Sequence, residues 1–533
     1  MTINYRAPLR LMRGLLTAAV FGITSLTGTA HADALVVAVK AAVTGSDPHQ
    51  LFTPNRNVQL HVYETLVAQD AKVRPVPSLA KSWKAIDDLT WEFELRDDVK
   101  FSNGAPLIPE DVIFSIERAK TIEGTRTFRA YVRDVAKVEK AGGHTVRIIT
   151  ATPAPELPAN LATIAIISKD AAAKAAGEDF NGGPAAVGTG PYRWVKFTPG
   201  QDVVLERNKN YRGQPGEWDK ITFRFIPDDS TRIAALLSGS VDVVDAVPAG
   251  LTKRIETSPN LHLQSATSLF MHYMSIDRRE TTPFATDAGG KKLSTNPFND
   301  KRVREAVTHA INRKALAERV MEGAAEPAGQ FMPAGFDGTD PDLQPPAYDP
   351  DLSRKLLAEA GYPDGFRYTI HCQNDRFTGD VRTCQTIAQM LTAVGIRTAV
   401  EAMPASILLT RATGETPEFS SYLAIFGSAA GLASNALNVL VQEWDLAKGT
   451  GRNNSGRYMN PELNALIDEA AQTIDDDKRQ KLLRSATRIA VEDQAFIPLF
   501  FLKGTWGLRK GLTMEPRGDL YTMATKITAK AQQ

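Results

Sequence analysis

Gly188 and Gly190, in the run VGTGPYRWVKF, have a spacing that could cradle a phosphate. A cradle needs glycine amides that open a helix, with Lys and Ser/Thr at fixed offsets or a third glycine. Here Pro191, which has no amide proton, and a strand-like aromatic stretch follow instead. Pro199 and Gly200 take the central positions of a type II turn and DVVLERN returns, so the segment reads as a hairpin entered through a glycine turn. Eight histidines, at 31, 49, 61, 144, 262, 272, 309 and 371, show no tight ligand spacing. His49 and His61 flank a predicted loop and are the pair able to meet around an ion, but no metal site is expected. His272 in a strand and His309 in a helix read as packed or surface residues. No G-x-S-x-G elbow, Walker sequence or Cys-x-x-Cys occurs, and nothing asks for a cofactor or for catalysis, although a triad assembled from distant segments is recognised by geometry alone. The two cysteines, Cys372 and Cys384, read either as a disulfide or as two buried thiols.

The elements that would position such residues alternate strand and helix. In LTWEFELRDDVKFSNG, Trp91, Phe93 and Leu95 fall on one face, as in a half-buried strand. A helix opens at Pro109 with Glu110 and Asp111 in its first turn. STRIAALLSG reads as a helix stopped by Gly239, and SVDVVDAV as the strand after it. From about residue 299 the pattern is mainly helical. DKRVREAVTHAINRKALAERVMEG reads as one helix capped by Asp300, stopped by Gly323 and apolar at Val303, Val307, Ala310 and Ile311. Helices follow at 350–361, 380–394, 461–474 and 477–493, with strands after Gly395 and in AFIPLFFL. The Pro-, Gly- and Asp-rich stretch 332–351 reads as a surface loop within one lobe. Alternation at this spacing predicts an α/β fold in lobes.

The chain of 533 residues is long enough for two or three domains, and its 43% hydrophobic and 23% charged content is ordinary for a globular protein. Arg6, Arg10 and Arg13, an apolar GLLTAAVFGITSLTG and Ala30-His31-Ala32 predict a signal peptide over 1–32, cleaved near Ala32. Without those arginines the net charge is near −2, which leaves no basic field for nucleic acid or an anionic membrane. No cysteine stands at the cleavage site to carry a lipid, so the expected location is a Gram-negative periplasm.

Several long motifs resemble the extracytoplasmic solute-binding proteins of peptide-type ABC importers (solute-binding protein family 5). They are SLAKSWKAIDDLTWEFELRDDVKFSNGAPLIPEDVIFSIERAK (78–120), VGTGPYRWVKF (187–197), NDKRVREAVTHAINR (299–313), LLAEAGYPDGF (356–366) and IPLF (497–500), in the family's order. The resemblance implies an α/β, two-lobed periplasmic binding protein fold. Its first lobe, 33–272 plus 497–533, would carry an extra subdomain at about 70–186; its second would span 273–496; two crossing strands would join them. It implies a component that captures a peptide or peptide-like solute between closing lobes, as a monomer, and presents it to an inner-membrane ABC permease. Binding of an opine, sugar conjugate or metal chelate is the alternative solute reading; a periplasmic hydrolase and a peptide-holding chaperone are the rivals from other classes. The similar segments place ligand contacts at Thr53, Asn55, Asn374, Arg376, Phe377, Phe426, Gly427, Ser428, Ser434 and Asn435, with Arg376 as the anchor for an anionic group and Phe426 as a pocket floor. The acid that dipeptide and glutathione binders carry near residues 432–435 is absent: no Asp or Glu lies between Glu418 and Glu443.

Overall fold

The computed structural model describes residues 34–51, 53–124, 127–214, 216–375 and 379–529. The signal peptide expected over 1–32, and Arg376 and Phe377, lie outside them. The protein is two-lobed, and one continuous sheet runs through both lobes. Its order is Ala285–Asp287, Phe366–Gln373, Ser421–Phe426, Leu261–Ile276, Ile497–Arg509, Val243–Val244, Ala34–Val39, Lys220–Phe225, Asp202–Arg207 and Tyr192–Thr198. Leu261–Ile276 and Ile497–Arg509 are the crossing strands, and their length of 16 and 13 residues lets each belong to both lobes. They pair antiparallel from Leu261↔Arg509 to Thr267↔Lys503, where the register breaks, and again from Met271↔Phe501. Met271 and Phe501 pack in one core cluster, and Ile497 and Phe500 in a second.

Separate cores give each part its own stability. Leu35, Val37, Phe223, Trp194 and Trp506 centre the first lobe. The extra subdomain has its own four-stranded antiparallel sheet, Ala80–Asp87, Thr90–Leu95, Thr145–Thr150 and Val135–Lys140 in order, covered by helix Pro109–Thr121. Trp91, Phe93 and Leu95 all face that core, as the period-two pattern requires. Asp111, in the helix's first turn, accepts from the amide of Ile108.

The glycine turn of VGTGPYRWVKF is a close backbone crossing. A Cβ on Gly188 would lie 2.0 Å from Val62 O, and one on Gly190 2.7 Å from His61 O. The amides of Gly190 and Tyr192 donate to Val62 O and His61 O at 2.8 and 3.0 Å, so these donors are engaged by protein carbonyls. The hairpin follows, Tyr192–Thr198 against Asp202–Arg207, with Gly200 at φ +69° in its turn.

One helix departs from its sequence reading. The single helix expected from 300 to 323 breaks after Lys301–Ala310. Ile311 is extended, and the Asn312 side chain accepts from Ala315 N at 2.9 Å, capping a new turn that runs into a π-helical stretch, Leu316–Val320. A buried Arg313 stabilises the break, donating to Pro498 O at 2.7 Å and to Thr308 O at 3.0 Å.

Candidate functional site

Strand polarity locates the site. Phe366–Gln373, Ile396–Met403 and Ser421–Phe426 run parallel. Because Phe426 pairs with Met271 and Ser421 with Ile276, their C-terminal ends point toward the crossing near Thr267. In the first lobe Ala34–Val39, Lys220–Phe225 and Val243–Val244 are also parallel. Val244 pairs with Gly507, and Val247 N donates to Thr505 O, so these strands too end toward the crossing. Both lobes therefore aim the carboxyl ends of parallel strands at one seam, the place where open α/β sheets bind ligands.

The loops leaving those ends carry most of the expected contacts. Asn374 is exposed just beyond its strand, and Asp375 accepts from Ala405 N at 2.8 Å, tying this loop to helix Ala405–Thr413. Cys372, at the end of the strand, and Cys384, in helix Asp380–Ala393, are joined, with their Cα atoms 6.5 Å apart. Phe426 is half-buried against the second lobe's core. Gly427 gives room to the Phe270 ring, whose nearest carbon would stand 2.6 Å from an added Cβ. Phe270 closes the irregular stretch where the crossing strands change register, so strand irregularity and glycine meet at one point.

Two expected contacts have local structural duties. Asn55 is buried and its Oδ1 accepts from Thr44 N at 2.8 Å, holding the loop before helix Thr53–Gln59; of Thr53 only its place at that helix start is described. Ser428 is buried and its Oγ accepts from Leu432 N at 3.2 Å, shaping the turn into helix Ala433–Leu440. Asn435 is exposed and Ser434 half-buried on that helix. His49 and His61 are also engaged separately: His49 Nε2 lies 2.9 Å from Ala165 O, while His61 Nε2 accepts from Ala524 N at 2.9 Å. Among the described residues no cluster of His, Cys, Asp and Glu is placed to hold a metal.

The seam is closed by contacts between the lobes. Gln69 Nε2 donates to Ala429 O at 3.2 Å. Val73, at φ +61°, packs into the second lobe's core beside Gly431, where an added Cβ would meet it at 2.8 Å. Ala159 of the extra subdomain clusters with Ala430 and Leu432, Tyr131 packing alongside.

Next to this cluster stands a residue that sequence reasoning missed. Glu156, at the start of the subdomain's helix Leu157–Leu161, faces the Ser434 hydroxyl across the seam. Burial pushes its carboxyl above the usual range, against the pull of Ser434 and Arg479, and Asp337 pushes the same way. Asp337 is itself raised, by burial first and then by Asp476. It lines a cavity of about 610 Å³ in the second lobe together with Phe336, Asp476, Gln480 and Phe501. The Pro- and Gly-rich stretch read as a surface loop forms one wall of that cavity, and composition alone carried no signal for it.

The arrangement matches known proteins along nearly its whole length. The family model for bacterial extracellular solute-binding proteins, family 5, matches residues 74–444. The glutathione-binding protein GsiB of Salmonella paratyphi A is 29% identical over 490 residues, covering 90% of this chain and 91% of that protein. HbpA2 from Haemophilus parasuis superposes with a TM-score of 0.80 at 24% identity, over 93% of this chain and all of that one. The periplasmic binding protein DppA from Helicobacter pylori, solved with the peptide STSA, gives 0.71 at 23% identity, over 93% and 98%. This chain belongs to the bacterial extracellular solute-binding proteins, family 5.

Proposed function

We propose that the protein captures a peptide or peptide-like solute between its lobes and presents it, as a monomer, to an inner-membrane ABC permease. The observation that carries this reading is the convergence of strand carboxyl ends from both lobes on one seam beside two crossing strands. A ligand that touches both lobes binds the closed form better than the open one, and that difference alone drives closure. The leader at 1–32 supports export to the periplasm with cleavage near Ala32. Binding without turnover is the reading throughout; the ligand contacts proposed are Asn374, Arg376, Phe377, Phe426, Gly427 and Asn435, with Ser434 at the edge of the site.

A non-peptide or amine-blocked solute is the second reading, favoured by the lack of any acid from 419 to 442. Native mass spectrometry of protein released gently from the periplasm tests both. A copurified mass matching a peptide or its conjugate supports the first, a metal chelate or opine the second. A solute chemically converted during incubation with purified protein refutes both.

A further inference from the structure

The second lobe carries a row of cations at the end of its sheet far from the seam. Arg367 and Arg397 are direct cross-strand partners where Phe366–Gln373 pairs with Ile396–Met403. On its other side Arg367 pairs with Thr286, and Thr286 pairs with Lys292. Directly paired residues share one face of a sheet, so Lys292, Thr286, Arg367 and Arg397 stand in line across four neighbouring stretches of backbone. At roughly 4.8 Å between strands the row is about 14 Å long. Like charges placed directly opposite destabilise a sheet, so such a row calls for a reason.

Nothing acidic in the protein answers it. Among the described residues neither arginine nor Lys292 has an acidic partner. Asp287, next to Thr286, spends its Oδ1 on the amide of Lys291 at 2.9 Å, and Glu401, farther along the edge strand, is taken by Arg411 at 2.9 Å. The two guanidiniums meet instead on one neutral oxygen: Arg367 Nε and Arg397 Nη1 donate to Ala288 O at 3.0 and 3.2 Å. That carbonyl holds the forks side by side without neutralising them. Both line a groove of about 720 Å³, together with Pro283, Phe284, Thr286 and Thr369. The half-buried Phe284 ring, braced edge-on against His371 at 4.8 Å, gives the groove a fixed apolar wall. A volume of this size is in the small-molecule range of roughly 300–1,000 Å³. The groove is separate from the seam: Arg367 lies near the start of the strand whose carboxyl end reaches the seam at Gln373, roughly 20 Å away.

We propose that this groove is a second binding site, for a small free molecule carrying two or more oxyanion groups, phosphate or carboxylate. A planar guanidinium pairs such a group bidentately, and two guanidiniums held together pair two groups or grip one from both sides. Lys292 extends the positive charge to the end of the row. A bound anion offsets the repulsion between the paired arginines, so part of its affinity comes from charges the fold has already brought together. A free molecule is favoured over a membrane surface because the mature chain, with a net charge near −2, has no long-range attraction to an anionic bilayer.

The test titrates the full-length mature protein with inorganic phosphate and with pyrophosphate, by calorimetry at low ionic strength. Pyrophosphate should bind more tightly than phosphate, and Arg367→Gln or Arg397→Gln should each weaken it by about tenfold or more. Lys292→Gln, which removes a point charge at the end of the row, should weaken it by about threefold. Arg397→Lys keeps the charge but not the fork, so it should hold the parent's thermal midpoint while retaining only part of the affinity. Absence of pyrophosphate binding by the parent overturns the proposal, as does binding that neither Gln variant weakens or that Arg397→Lys leaves at full strength. Loss of pyrophosphate binding in Arg376→Ala also overturns it, since that puts the anion at the seam. Vesicles of phosphatidylcholine and phosphatidylglycerol should not retain the protein. Retention that both Gln variants abolish assigns the row to a membrane surface and overturns the free-ligand reading.

Discussion

At the scale of single residues, a motif names a side chain's type but not what already occupies it. Asn55 and Ser428 have the chemistry of ligand contacts, yet their oxygens are taken up by Thr44 N and Leu432 N, bonds that no spacing rule announces. Glu156 was invisible because its partner is supplied by a distant part of the chain. Arg376 stands two positions after Asn374 in the sequence and lies outside the described residues. In its proposed role as a ligand contact, its guanidinium pairs a carboxylate bidentately once closure excludes water. Arg376→Ala should weaken binding of the copurified solute by about 2 kcal/mol or more, read by calorimetry; unchanged affinity refutes the role. His61 makes a second case. It is fully buried and accepts from Ala524 N, so the folded state wants it neutral, and burial pulls its pKa down to about 4. The unfolded imidazole takes its proton near 6.5, so between those values the unfolded chain binds more protons. Stability is full above about pH 6.5 and drains as pH falls toward 4, by roughly 3 kcal/mol from this group. His61→Gln should be weaker at pH 7.5 yet lose less on acidification, as urea midpoints at pH 7.5 and 5 will show; an unchanged slope contradicts the assignment.

At the scale of elements, periodicity worked where an element packs by itself. Trp91, Phe93 and Leu95 needed only the alternation of a strand. The helix read from 300 to 323 failed because periodicity continues through a break that Asn312 caps and Arg313 locks from the second crossing strand. Composition marked Gly188 as a turn but not the reason for it, which is the approach of Val62 O. The backbone there needs no unusual φ, so the objection to a side chain is steric. Gly188→Ala should cost about 3 kcal/mol or prevent folding, visible as a lowered thermal midpoint; a midpoint within a degree of the parent's would show that the crossing relaxes freely. The Cys372–Cys384 link pins the start of helix Asp380–Ala393 to the neighbouring strand across a separation of 12 residues. A loop of that size adds roughly 3 kcal/mol in the chain-entropy account. Neither thiol should react with a maleimide in denaturant until a reductant is added, and labelling before reduction refutes the link.

At the scale of the whole molecule, the alternation of strands and helices sufficed for α/β lobes, and the family motifs for two lobes closing on a solute. The solute itself is set by contacts that only closure assembles, and here the missing acid becomes informative. A free peptide ammonium buried by closure needs a carboxylate, because an unpaired charge in a dry site is costly. The segment from 419 to 442 supplies none. An acid does reach the seam, but Glu156 faces Ser434, with Arg479 beside it, and a neighbouring cation makes a poor host for a second one. Ser434 and Asn435 offer hydrogen bonds without charge. The favoured solute therefore presents no free amine at this position: a blocked, longer or non-peptide molecule. Calorimetry with a panel of free dipeptides should show weak binding throughout, and tight binding for amine-blocked counterparts or for the copurified solute. A submicromolar dissociation constant for any free dipeptide defeats this reading. If Glu156→Gln then abolished that binding, the carboxylate facing Ser434 would be the group that holds the ammonium.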